Sequence, residues 1–156
     1  MKVKIAEASD APLIYDLMIK AFMEYKDEVP PSSALEETVQ TISTALEDGE
    51  QALISYIGDE PVGMVRFRLT DNGVYFYRLS VIPEKQGQGI AKGILKSLDD
   101  YAKQNEKTKM LCKVRMTVPK NIKLYSSIGY RIHDEEIVHK PNGINIKVVS
   151  MEKKLL

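Results

Sequence analysis

The stretch from Tyr75 to Leu95 constrains the chain more than any other, because its residue pattern changes period across a pair of glycines. Tyr75-Phe76-Tyr77-Arg78-Leu79-Ser80-Val81-Ile82 is aromatic and β-branched, which predicts a strand. Pro83 ends it, having no N–H to give a ladder. Beyond Gln86-Gly87-Gln88-Gly89, residues Ile90, Ala91, Ile94, Leu95 and Leu98 recur at helical spacing. A strand that runs through a glycine turn into a helix leaves backbone N–H groups pointing out of the helix N-terminus. With the positive end of the helix dipole, these donors form an anion site, and pyrophosphate is its usual occupant. Side chains at Gly87 and Gly89 would keep a phosphate off the backbone.

A nucleotide P-loop requires Gly-Lys-Ser/Thr, whereas this chain has Gly93-Ile94. Gly87-x-Gly89-x-x-x-Gly93 is a variant of the nicotinamide dinucleotide fingerprint, but that motif belongs to a repeating β-α-β frame. Here three antiparallel strands are expected before the turn.

The rest of the chain supplies that frame. Lys2 to Ala6 reads as a strand. Ser9 or Asp10 then caps a helix carrying Pro12, Leu13, Ile14, Leu17, Met18, Ala21 and Phe22, which the paired Pro30-Pro31 stop. A second helix is expected from Ser32 or Ser33 through Leu35, Val39, Ile42 and Leu46 to Gly49. Gln51–Ile57, a turn at Gly58-Asp59-Glu60-Pro61, Val62–Leu69 and the turn Asp71-Asn72-Gly73 make a meander leading into the central strand. In its second strand Arg66 and Arg68 alternate with Val65, Phe67 and Leu69. The helix after the glycine turn ends in the polar run Lys103 to Lys107. Met110–Met116 reads as a strand, and Pro119 to Gly129 as a short helix. Tyr130–His139, a turn at Pro141-Asn142-Gly143, and Ile144–Met151 close the chain as a hairpin. The element order is β-α-α-β-β-β-α-β-α-β-β, and the 156 residues suit a single domain, 1–156, with one core.

Charge and cysteine content narrow the setting. The net charge is +0, against general nucleic-acid binding. Residues 1–60 carry 13 acidic and 4 basic side chains, and residues 61–130 carry 5 and 13. The basic middle contains the glycine turn, and an acidic first third would attract a cationic amine, although solvated helix faces of opposite sign give the same totals. No run approaches the ~20 apolar residues of a membrane span, and the first residues lack the apolar core of a secretory signal. The single cysteine, Cys112, fits a reducing compartment, with the cytoplasm as the default. Two histidines and no Cys-x-x-Cys give no metal signal.

Leu79-x-Val81-x-Pro83 followed by Gln86-Gly87-Gln88-Gly89-Ile90-Ala91 resembles the Gln/Arg-x-x-Gly-x-Gly/Ala signature of the GNAT family of N-acetyltransferases. Downstream, Leu124-Tyr125-Ser126-Ser127-Ile128-Gly129-Tyr130 resembles the family's Leu-Tyr-x-x-x-Gly-Phe segment, and the element order is that of the family's fold. The resemblance implies an α+β, three-layer domain with a mixed, mostly antiparallel seven-stranded sheet and helices on both faces. It also implies acetyl transfer from acetyl-CoA to an amine of a small molecule or peptide.

On the resemblance, Leu79, Ser80 and Val81 would offer strand backbone to the pantetheine arm, in a gap where the fourth and fifth strands run parallel and splay apart. Gln86, Gly87, Gln88, Gly89, Ile90, Ala91 and Lys92 would hold the pyrophosphate, and Tyr125 would protonate or position the departing thiolate. Lys92 and Lys96 could meet coenzyme phosphates or stand in solvent. Two positions depart from the family pattern. Val118 stands where many members carry an asparagine, with Asn121 one turn before Tyr125 as a substitute that could cap or line the site. Arg78, which cannot act as a base, lies where many members carry a glutamate on the central strand, and Lys113 where some branches place it on the fifth. The base is therefore unassigned among Glu24, Asp27, Glu28, His133, His139 and water. A non-catalytic acyl-CoA sensor is the alternative these departures motivate. A homodimer through the closing hairpin is possible, and Cys112 is expected in the core.

Overall fold

A computed structural model describes residues 1–27, 32–140 and 143–155. The expected turn at Pro141 and Asn142, the stop at Pro30-Pro31, and Glu28 as a base lie outside the described residues. Among the described residues seven strands form one sheet in the order β1-β2-β3-β4-β5-β7-β6. They are β1 (Lys2–Ile5), β2 (Gln51–Ile57), β3 (Glu60–Leu69), β4 (Gly73–Val81), β5 (Lys109–Arg115), β6 (Arg131–His139) and β7 (Asn145–Lys154). The helices are α1 (Ala11–Phe22), α2 (Val39–Glu47), α3 (Ile90–Gln104) and α4 (Pro119–Ser127), with short 3₁₀ turns beside them. β4 and β5 are parallel over Gly73–Tyr75 and Lys109–Leu111, while β1–β2, β2–β3, β5–β7 and β6–β7 are antiparallel. This is the mixed, mostly antiparallel α+β sheet expected. Among the described residues no helix is long and apolar enough to cross a membrane.

By its contacts the chain falls into two compact units, Met1–Arg68 with Phe76–Leu98, and Leu69–Tyr75 with Asp99–Leu156. In the first, Ile14, Leu17 and Met18 of α1, Ile42 of α2, Ile54, Met64, Phe67 and Phe76 of the strands, and Ile94, Leu95 and Leu98 of α3 are buried. Each such side chain contributes about 1.5–3 kcal/mol relative to exposure. β3 is buried continuously from Val62 to Phe67 because helices cover both its faces. A Cβ at Gly63 would lie 2.9 Å from Ile94 of α3, while Met18 of α1 approaches Arg66 on the opposite face. The alternation of Arg66 and Arg68 with apolar residues therefore does not put both arginines in water: Arg66 is only 2% exposed.

The second unit buries Val74, Ala102, Met110, Cys112, Val114, Tyr130, Val149 and Met151. Asp99 is 8% exposed and accepts a hydrogen bond from Lys153 Nζ at 2.6 Å. Its edge strand β6 is almost wholly exposed, with charged residues between Ile132 and Ile137.

Three boundaries differ from expectation. Between Ser32 and Gly49 there is no continuous helix: Ser33–Glu36 is a 3₁₀ turn, Glu37 and Thr38 are extended, and α2 starts at Val39. Thr38 and Thr41 exchange side-chain-to-backbone bonds of 3.1 and 3.0 Å, a reciprocal cap that starts the helix afresh. Asp10 stands at the α1 N-cap, yet its carboxylate accepts from Glu7 N–H at 2.8 Å. Pro61 lies inside β3, opposite Tyr56 and beside an irregularity in the ladder, where a missing N–H is tolerated.

Candidate functional site

In the first unit, β4 leaves the sheet through a 3₁₀ turn at Pro83–Lys85. The Gln86 amide donates to Val81 O at 3.1 Å, tying the start of the turn to the end of the strand. Gly87 and Gly89 follow with φ of +79° and +81°, a left-handed conformation in which a side chain is strained. A Cβ at either would meet no protein atom within 4 Å, so the space in front of both glycines is open. The carbonyl of Gly89 accepts the first helical bond, from Gly93 N–H at 3.0 Å. Helix geometry accordingly leaves the N–H groups of Gly89, Ile90, Ala91 and Lys92 without intrahelical acceptors. Ile90 is buried and anchors the helix start, while Gln86–Gly89 and Lys92 are exposed. Exposed donors, a helix dipole and open space fit a diphosphate. Gly93 faces a different neighbour: a Cβ there would meet Met1 Cε at 2.5 Å, the end of an exposed, flexible side chain that can move aside.

Ahead of the turn, Ser80 and Val81 are buried and Leu79 is half-buried. Ser80 Oγ donates to Arg78 O at 2.8 Å. Arg78 itself has φ of +58°, uncommon for any residue but glycine. A charged cluster surrounds its side chain. Glu37 accepts from Arg78 Nε at 2.9 Å and from Arg66 Nη1 at 2.7 and 2.9 Å, and Arg66 Nε donates to Glu50 at 2.7 Å. Arg78 Nη2 donates to Ser33 Oγ at 3.1 Å, and both guanidinium groups lie against the Tyr77 ring, at 5.0 Å for Arg66 and 5.8 Å for Arg78. The sequence reading missed Glu37, Glu50 and the burial of Arg66. Two acidic residues of the first third are consumed here by arginines instead of facing solvent.

In the second unit, Tyr125 is 7% exposed on α4, its ring 5.7 Å from that of Tyr130. Pro119 starts α4, and Tyr130 N–H returns to Tyr125 O at 3.0 Å beyond Gly129. Asn121 is half-buried in the first turn, its N–H bonded to Val118 O at 3.2 Å; it does not cap the helix, whose N-cap is Val118. Burial pushes the Tyr130 phenol well above its ordinary range and the Cys112 thiol up to about 12, which leaves Cys112 an inert core thiol.

The base candidates are scattered. Glu24, Asp27 and His133 are exposed, and His139 Nδ1 lies 2.7 Å from Asn145 Oδ1 across the closing hairpin. Lys113 pairs with Glu136 at 2.7 Å, a bond that raises its pKa. Among the described residues no group of three or more His, Cys, Asp or Glu could hold a metal ion.

The family model for the acetyltransferase (GNAT) family matches residues 12–130, three quarters of the chain. No curated protein sequence matches the chain. Among solved structures, the ribosomal-protein-S18-alanine N-acetyltransferase from Escherichia coli superposes with a TM-score of 0.79 at 15% identity, covering 98% of this chain and 92% of that one. A probable acetyltransferase from Staphylococcus epidermidis ATCC 12228 gives 0.83 at 12% identity, with 99% of each chain covered. An aminoglycoside 6'-N-acetyltransferase complexed with coenzyme A gives 0.74 at 13% identity, covering 100% of this chain and 98% of the other. At these identities the superpositions speak for the fold, and the family match for the chemistry: the chain belongs to the GNAT family of acetyltransferases, enzymes that use acetyl-CoA as cosubstrate.

Proposed function

We propose that residues 1–156 act as one acetyltransferase domain that moves the acetyl group of acetyl-CoA to a primary amine of a small molecule or peptide. The observation that carries the proposal is the turn Gln86–Lys92, with its two left-handed glycines and the unused donors at the start of α3. In this reading those N–H groups hold the diphosphate, Lys92 adds charge at its edge, and the Leu79–Val81 backbone receives the pantetheine arm. Asn121 lines the site near Tyr125. The structural neighbours include enzymes described as acting on a ribosomal-protein alanine and on an aminoglycoside, and a spermidine N-acetyltransferase chimera, all amine acceptors. The single cysteine keeps a reducing, cytoplasmic setting in the proposal.

The chemistry assigned to the chain is proton handling around one substitution. An alkylamine with a pKa near ~10 must first lose a proton, to a side chain or to water. Its nitrogen then bonds to the thioester carbonyl carbon and gives up a second proton, the carbon–sulfur bond breaks, and the sulfur leaves as a thiolate that Tyr125 positions, or protonates while regaining the proton the nitrogen releases. Thiol release measured against polyamines, amino acids, aminoglycosides and peptide N-termini tests the proposal. At least one amine should release free coenzyme A thiol, and Tyr125→Phe should abolish most of that turnover while leaving acetyl-CoA affinity nearly unchanged. Unchanged turnover of Tyr125→Phe across pH would remove the tyrosine from the mechanism. Acetyl-CoA binding without thiol release to any amine would favour a sensor.

A further inference from the structure

Glu37 lies in none of the motifs that mark this family in the chain, yet its carboxylate is the hub of the charged cluster. It takes both hydrogen bonds of Arg66 Nη1 and one from Arg78 Nε, and its side chain is only 16% exposed. Its backbone is extended, in the break between the Ser33–Glu36 turn and the cap of α2. The break lets one carboxylate reach side chains from two neighbouring strands. Arg66 is held from its other side by the fully buried Glu50, so the guanidinium to which Glu37 is anchored is itself fixed.

The second arginine connects Glu37 to the strand backbone. Arg78 adopts φ of +58° without being glycine, so the surrounding contacts must hold it there. Three of them are visible: Glu37 on Nε, Ser33 on Nη2, and the Ser80 hydroxyl on the Arg78 carbonyl. The left-handed residue immediately precedes Leu79, and its conformation determines which way the next peptide groups of β4 point. A lost grip on the Arg78 side chain would let that backbone relax and re-aim the peptides of Leu79–Val81.

We propose that Glu37 is a positioning residue for the cosubstrate: through Arg78 it holds the left-handed bend that aims the Leu79–Val81 backbone at acetyl-CoA. This rests on the reading above, in which those residues receive the pantetheine arm. The role is conformational, so it has a signature that loss of a buried charge lacks. Glycine at position 78 adopts the same φ unaided, so Arg78→Gly alone should bind acetyl-CoA as the parent does, which a lost charge contact would not allow, and with it in place Glu37 should cease to matter for binding.

The test is calorimetric titration of acetyl-CoA into the parent, Glu37→Gln, Arg78→Gly and the double variant, with thermal melting of each to verify folding. Glu37→Gln should weaken binding about tenfold in the parent background and by less than about threefold in the Arg78→Gly background. Glu37→Asp, which keeps the charge but shortens its reach to Arg78, should show the same suppression and serves if Glu37→Gln fails to fold. An unchanged Kd for Glu37→Gln, or the same loss in both backgrounds, overturns the proposal while leaving the cosubstrate reading intact. A folded parent that does not bind acetyl-CoA overturns both.

Discussion

The glycine turn at Gln86–Gly89 and the cluster of Glu37, Glu50, Arg66 and Arg78 both manage charge, and they do it in opposite ways. The turn keeps its donors open: its residues are exposed, and a Cβ at Gly87 or Gly89 would meet nothing. The cluster uses its donors up. Two guanidinium groups and two carboxylates bond one another at 2.7–2.9 Å, with Arg66 and Glu50 nearly inaccessible to water. An open set of donors costs little in water and is ready for an anion, whereas a set already paired within the protein fixes the backbone that carries it. Damage at the buried Arg66–Glu50 side of the cluster should therefore appear first as lost stability, damage that reaches Arg78 as lost affinity too, and damage to the turn as lost affinity above all.

The largest expected effect is that of Arg66→Met, which leaves Glu50 only the 4.0 Å approach of Arg68 and Glu37 only Arg78. Breaking a buried pair by removing one partner costs about 3–5 kcal/mol, to be read from urea unfolding. A loss below about 1 kcal/mol, the range of a surface pair, would show that water reaches the cluster. Next comes Gly63→Ala. Its Cβ would sit 2.8 Å from Ser80 O, 2.9 Å from Ile94 Cδ1 and 3.1 Å from Ser55 Oγ, so about 1–3 kcal/mol of overpacking is expected in the same assay. Retained stability would mean that β3 and β4 can separate locally.

The two changes in the turn should invert this balance. Gly89→Ala meets no neighbour, so only the left-handed φ opposes it, a cost of about 1–2 kcal/mol. Acetyl-CoA affinity should nevertheless drop about tenfold or more as the methyl group fills the space in front of the donors. Lys92→Ala, on an exposed residue, should leave the unfolding midpoint within error and weaken acetyl-CoA binding a few-fold at low salt. That difference should fade once the Debye length falls toward ~3 Å near 1 M salt. Weakening that is independent of salt would take Lys92 away from the phosphates.

The same contrast explains what could be read from the sequence. The turn was legible because its signals are local: a strand pattern, a proline, two glycines suited to positive φ, and a helical repeat starting at Ile90. The meander and the closing hairpin followed from turn residues and alternation, whereas the parallel β4–β5 step came only with the family resemblance. The cluster was not legible, because it joins residues 16 to 41 positions apart along the chain. Alternation also misleads at Arg66. A strand with one wet face exposes every second side chain, but β3 is covered on both, so Arg66 is as buried as Phe67. The break at Glu37-Thr38 was hidden for a related reason. Glu36-Glu37-Thr38 is compatible with continued helix, and the arginines that hold Glu37 extended lie elsewhere in the sequence. Tyr125 could be located by its motif, but its burial and its contact with Tyr130 could not.

Calorimetric titration of the intact protein with acetyl-CoA, with NADPH as the control ligand, tests the central claim most directly. Binding near ~1 μM, about −8 kcal/mol, with no heat from NADPH and a marked loss in Gly89→Ala, is the predicted result. Equal binding of NADPH, or acetyl-CoA affinity that Gly89→Ala leaves untouched, would contradict the assignment of the Gln86–Lys92 turn as the diphosphate site.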